Sequence, residues 1–153
     1  MHIAISNSSL YAMFMIDPLH NFPGYLLRRA SAASLSELST LLAALDIRPT
    51  EATILTLIAN NENATQSDLG AHLGIQRANM TPIIARIEGQ GWITRVPLDG
   101  RSQALVLTEP GRAVQQQTLA KMQSYEATLI ERVPEAYREN VVEILSALWG
   151  NRG

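Results

Sequence analysis

The chain contains no cysteine, a single lysine (Lys121) and only 5% aromatic residues. Without a thiol it forms no disulfide, holds no metal through thiolate and has no cysteine nucleophile or cysteine-based peroxide sensor. Its histidines, His2, His20 and His72, are scattered, and none stands four residues from another, the spacing that places two imidazoles on one helix face for zinc. We therefore expect no metal and no cofactor. The apolar run at 10–16 is short and preceded by no Lys or Arg, so neither a spanning helix nor a secretory signal is expected, and a cytoplasmic location follows. Internal repeats and low-complexity tracts are absent too.

What remains is an ordinary globular composition: 153 residues, 46% hydrophobic and 17% charged, enough for one domain with a real core. The net charge is −2, but residues 76–104 carry Arg77, Arg86, Arg95 and Arg101 against Glu88 and Asp99, a local excess of two positive charges. Eleven of the twelve basic residues are arginine, a bias that suits bidentate recognition of phosphate or guanine and equally fits a GC-rich genome.

Periodicity divides the chain into an amino-terminal arm (1–23) and a mostly α segment (24–149) with a small β element. Apolar residues at Leu35, Leu38, Leu42 and Leu45 predict a helix over 24–45. Pro49 and Thr50 open a second helix with Ile54, Leu55, Leu57 and Ile58 inward, closed by the turn-forming run 60–63. Thr65 caps a short third helix, Asp68 completes an acidic capping box, and Gly74 stops it, with Leu69, Leu73 and Ala71 on its inner side. In 76–90 the series Met80, Ile83, Ile84, Ile87 forms one apolar stripe, leaving Ala78, Asn79, Thr81, Pro82, Ala85 and Arg86 outward at about 100° per residue. Strands at 93–97 and 103–107 are joined by Leu98, Asp99, Gly100, Arg101 and Ser102, where Asp-Gly is a hairpin signal. Thr108 caps a helix carrying Val114, Met122, Tyr125 and Leu129. Pro134 precedes a last one with Tyr137, Val141, Ile144, Leu145 and Leu148. The helices at 24–45 and 110–149 expose more apolar surface than the central module at 50–109 can cover, which predicts a homodimer.

A capped short helix, a tight turn and an amphipathic second helix make a helix-turn-helix, and the hairpin makes it winged. The small residues Ala78, Thr81 and Ala85 allow close approach to base edges, with Asn79 and Arg86 as reading side chains. At the hairpin tip Arg101 can enter a minor groove, held by a bidentate pair with Asp99; an ordinary Asp-Gly turn followed by a surface arginine reads the same way.

Residues 65–75, Met80-Thr81 to Ile87-Glu88, Gly91-Trp92-Ile93 and Asp99-Gly-Arg101-Ser102 followed by Leu107-Thr108-Glu-Pro-Gly111-Arg112 together resemble the MarR family, over about 24–149. The most specific part is the Asp-x-Arg wing followed by Leu-Thr-x-x-Gly. The resemblance implies a winged helix-turn-helix in an intertwined helical dimer that binds double-stranded DNA at a pseudo-palindromic operator, most often as a repressor released by a small molecule. Carried over by position, the recognition helix is 76–90. The DNA-contacting set is then Gln76, Arg77, Ala78, Asn79, Thr81, Pro82, Arg86, Asp99, Arg101 and Ser102. Pro82 departs from the family pattern, standing where a polar or basic side chain is common, and it removes a backbone donor inside the helix.

In similar regulators the effector is commonly an aromatic acid or phenol held between the dimer helices and the DNA lobe. The candidates here are His20, Phe22, Tyr25, Arg28 and Arg29: an arginine for a carboxylate, Tyr25 and Phe22 for a ring. The competing reading of the arginines is dimer ion pairing or solvent exposure. Two other functions compete with DNA regulation. One is a winged module that binds protein. The other is a small enzyme using His72 with Asp68, four residues apart, as an acid-base pair; no nucleophile motif, phosphate loop or metal cluster accompanies them.

Overall fold

The structure, a computed structural model, describes residues 16–98, 100 and 102–150. Two compact units divide the chain, residues 1–37 and 38–153. The first contains a turn at Asp17–Asn21 and most of helix α1 (Pro23–Leu42). Asp17 organises it: its Oδ1 accepts from the Leu19 N–H at 2.9 Å and its Oδ2 from the Tyr25 hydroxyl at 3.0 Å. Leu19, Phe22, Leu26, Leu27 and Leu35 nevertheless remain exposed.

The second unit begins at Leu38 and takes in the end of α1, where Leu42 is buried. The helix predicted to run to Leu45 stops three residues sooner, because Ala43–Leu45 tightens into a 3-10 turn and Asp46 adopts a left-handed conformation (φ 50°). Helix α2 (Pro49–Asn60) begins at the proline, whose missing N–H costs nothing in the first turn. Ile54, Leu55 and Ile58 are buried as expected, whereas Leu57 is only half-buried.

Helix α3 (Gln66–Leu73) starts from the predicted capping box: the Asp68 N–H donates to Thr65 Oγ1 at 3.2 Å, and Asp68 Oδ2 accepts from the Thr65 N–H at 2.9 Å and hydroxyl at 2.7 Å. These bonds, the hydroxyl's first, hold the Asp68 carboxyl below the usual aspartate range. Gly74 (φ 66°) ends the helix, and the Ile75 N–H returns to the Gly70 carbonyl at 2.9 Å. Ala71, expected on the inner side, is exposed.

Helix α4 (Arg77–Gly89) runs through Pro82, with Met80, Ile84 and Ile87 buried. Strands β1 (Ile93–Pro97) and β2 (Gln103–Leu107) pair antiparallel, Ile93 opposite Leu107 and Pro97 opposite Gln103. The other edge of β2 is used as well: the Leu105 N–H donates to the Ala64 carbonyl at 2.9 Å, and Thr65 bridges to Ala104. Helix α5 (Glu109–Glu131) is capped by Thr108, whose Oγ1 accepts from the Gly111 N–H at 3.0 Å. Beyond Pro134 the expected single helix is two pieces, a 3-10 segment Glu135–Asn140 containing Tyr137 and then α6 (Val141–Trp149).

The core of this unit joins Leu42, Ile47, Ile54, Leu55, Leu69, Met80, Ile84, Ile87, Trp92, Ile93 and Leu105. Each such side chain contributes on the order of 1.5–3 kcal/mol by leaving water. The helix-turn-helix and the base of the hairpin thus share one core. Among the described residues, no helix is long and apolar enough to cross a membrane.

Candidate nucleic-acid interface

Three elements enclose a concavity of about 630 Å³. The first turns of α3 supply Thr65, Gln66 and Ser67; the start of α4 supplies Arg77, Met80 and Thr81; the hairpin supplies Arg95, Ser102 and Gln103. It brings together three residues nominated from sequence, Arg77, Thr81 and Ser102, with polar groups that sequence reasoning did not nominate. The hairpin is held over it by pairing to Ala64 and Thr65, so the groove is bounded by one hydrogen-bonded frame.

Beside this groove, Ala78, Asn79, Pro82 and Ala85 form the exposed face of α4, and Gln76, its N-cap, is exposed as well. Pro82 has no N–H to donate back to the carbonyl four residues earlier, that of Ala78, yet the helix continues past it. Thr81 lies on the same side with its hydroxyl already committed. It donates to the Arg77 carbonyl at 3.0 Å and accepts from Gln66 Nε2 at 3.0 Å, so it ties α3 to α4.

Arg86 requires a correction. Helical geometry placed it among the outward reading side chains, but its guanidinium turns inward to Glu51 and Asp46, at 2.6 and 3.0 Å, and its side chain is 28% exposed. The buried Glu51 carboxylate and the adjacent carbonyl of Asp46 outcompete solvent for it. Arg95, not assigned a role from sequence, forms a bidentate pair with Glu88 and links α4 to β1. Asp99 and Arg101, the nominated wing pair, lie outside the described residues; of the tip between them, Gly100 has φ 52°, and the Leu98 N–H donates to the Ser102 carbonyl at 3.0 Å.

In the first unit, the effector candidates separate by chemistry. Arg29 lies 5.7 Å from the centre of the Tyr25 ring, donates to its hydroxyl at 3.3 Å and stands 3.8 Å from Asp17. Its charge is therefore answered within the chain, and Tyr25 is engaged with it. Arg28 has no hydrogen bond or ion pair among the described residues and is exposed, as is Phe22. His20 Nδ1 is 2.8 Å from the Asp17 carbonyl, a turn contact. The proposed acid-base pair does not assemble: the Asp68 carboxylate faces Thr65, and no hydrogen bond joins it to His72 among the described residues.

A capped helix, a left-handed glycine turn, an exposed small-residue helix and a hairpin sharing their core define a winged helix-turn-helix. The family model described as MarR family matches residues 47–102 of this chain. A putative transcriptional regulatory protein for the hcr operon of Thauera aromatica is 26% identical over 133 residues, covering 82% of this chain and 78% of its own. The HTH-type transcriptional repressor Rv2887 of Mycobacterium tuberculosis is 24% identical, covering 82% and 91%, and its fold has been solved with salicylic acid (TM-score 0.67, 24% identity, 82% and 95% covered). The repressor CouR, known from Rhodococcus jostii, superimposes in its complex with a 23-mer DNA duplex with a TM-score of 0.79 at 25% identity, covering 88% of this chain and 99% of CouR. CouR has also been solved with p-coumaroyl-CoA.

Proposed function

We propose that this protein is a sequence-specific transcriptional repressor that binds double-stranded DNA as a homodimer and releases it on binding a small aromatic effector. The observation that carries the DNA-binding reading is the exposed, nearly uncharged face of α4 beside a groove floored by Arg77 and the α3 N-terminus. A merely solvated helix face carries more charge. A face of Ala78, Asn79, Pro82 and Ala85 lets a helix sit deep in a major groove with Asn79 at the base edges. The polar groove next to it suits the phosphate backbone, and Arg101 follows as the minor-groove contact of the wing.

Dimerisation is supported by α6, where Val142, Ile144, Leu145, Leu148 and Trp149 are 48–76% exposed, an apolar stripe that a monomer leaves in water. The effector reading rests on Arg28, an exposed cation with no partner among the described residues, on exposed Phe22, and on the aromatic ligands of CouR and Rv2887. An arginine of this kind answers a carboxylate or phosphate.

The test is fluorescence anisotropy of the protein on a duplex from upstream of its own gene and on a scrambled duplex, across salt, with Arg101→Ala alongside. Tighter binding to the native duplex, weakened by salt and by the substitution, is expected. Equal weak binding to that duplex, to the scrambled one and to fragments recovered from the whole genome would sink the reading in favour of a protein-binding winged module.

A further inference from the structure

The Glu51 carboxylate is 1% exposed, and a carboxylate taken out of water is tolerated only when fully partnered. Its Oε2 accepts from the Arg48 backbone N–H at 2.9 Å, which caps α2, and from the Arg86 guanidinium at 2.6 Å, which comes from α4. Arg86 is shared. Its other terminal nitrogen donates to the carbonyl and to Oδ1 of Asp46, at 3.1 and 3.0 Å. Asp46 Oδ2 in turn accepts from Gln90 Nε2 at 2.9 Å, at the end of α4.

Two side chains from the last turn of α4 are therefore gripped by Asp46, while the start of α2 holds Arg86 from the other side. This is a different end of α4 from the one where Gln66 meets Thr81. A helix fixed at one end only can still swing; fixed at both, its rotation and pitch are set, and base readout depends on placing side chains to within a fraction of an ångström.

We propose that Asp46, Arg86 and Glu51 form a clamp that positions the recognition helix, so that Arg86 and the acidic Asp46 govern operator affinity without touching DNA. The proposal rests on the DNA-binding reading above. It has a consequence opposite to that of simple electrostatics. Asp46 is an exposed negative charge beside the helix, with its side chain 77% exposed, and deleting it should by charge alone tighten every duplex. If the clamp positions α4, deleting it weakens the cognate duplex selectively.

The experiment uses the duplex that the wild-type protein enriches from a randomised library, with a scrambled duplex as reference. Asp46→Gly removes the carboxylate while accommodating the left-handed backbone. We expect roughly tenfold or greater loss on the selected duplex, with the scrambled duplex unchanged or tighter and the salt slope unchanged, from a variant whose circular dichroism matches wild type. Arg86→Gln should give a comparable loss, Arg86→Lys should not restore binding because an ammonium cannot span both carboxylates, and the double variant should lose little more than either single one. Unchanged or tighter cognate binding by Asp46→Gly, or additive losses in the double variant, would overturn the clamp. So would an Arg86→Gln variant that weakens both duplexes alike and lowers the salt slope by about one, since Arg86 would then be a phosphate contact. A wild-type protein that enriches no sequence would overturn the DNA-binding reading itself.

Discussion

Gly111 lies so close to the backbone of Trp92 that a Cβ built on it would stand 1.8 Å from the Trp92 carbonyl oxygen and 2.7 Å from its carbon. The obstacle is main chain, fixed by the Thr108 N–H at 3.0 Å, and cannot swing aside as a side chain could. The Leu-Thr-x-x-Gly motif after the wing is thereby explained: Thr108 caps α5 and donates to the Gly91 carbonyl at 2.6 Å, and the glycine lets the helix start against the base of β1.

Gly111→Ala should therefore separate α5 from the hairpin. We expect a loss of several kcal/mol, at the upper end of single substitutions, measured by denaturant unfolding with Gly89→Ala, where a Cβ meets nothing within 4 Å, as the neutral control. Equal stability of the two variants would refute the close-approach argument.

The Asp68 cap carries a pH signature. Because its folded pKa lies below the unfolded value, the unfolded chain takes up the proton first as pH falls. Its contribution is complete above the ordinary aspartate pKa of about 3.9 and is lost as pH drops through the folded value. Thermal melts of wild type and Asp68→Asn should differ at pH 7, and the difference should shrink towards pH 3. A gap that grows in acid would contradict the assignment.

On DNA, Asn79 and Arg77 should fail differently. Asn79→Ala should cost about 1–3 kcal/mol on the selected duplex and relax the preference at one base pair, as a lost base contact does. Arg77→Ala should weaken all duplexes together and lower the salt slope by about one. Anisotropy titrations over a salt series and a panel of single-base variants distinguish the two.

Leu148→Asp places a charge within the apolar stripe of α6. Sedimentation equilibrium should show the dimer dissociating at concentrations where wild type remains paired, while monomer circular dichroism changes little because the residue is 63% exposed. A variant that stays dimeric would move the interface elsewhere.

The arrangement of the winged module was legible because its signals are local. Thr65 and Asp68 are three residues apart, Gly74 directly follows the helix it ends, and the two strands occupy 93–97 and 103–107 as alternation and the Asp-Gly turn predict. The inward pairing of Arg86 was hidden for the converse reason. Its partners stand 35 and 40 residues away, and a helical wheel records which way a residue faces but not which buried carboxylate reaches for it. A glutamate in the first turn after Pro49 was the available signal. It reads as a cap, and nothing in 48–51 indicates that the same oxygen is used twice. The division beyond Pro134 was hidden as well, since a 3-10 segment and an α-helix place apolar residues at similar spacing over a single turn.

The face of α4 beside the groove is built from Ala78, Asn79, Pro82 and Ala85, and none of these side chains belongs to the core, the caps or the hairpin frame. Their identities can thus change at little cost to folding, whereas Gly111, Thr108, Glu51 and Arg86 cannot. On the DNA-binding reading proposed above, a lineage that inherits this scaffold acquires a new target sequence by substitutions at four exposed positions, and duplicated copies diverge to control different genes while keeping one architecture.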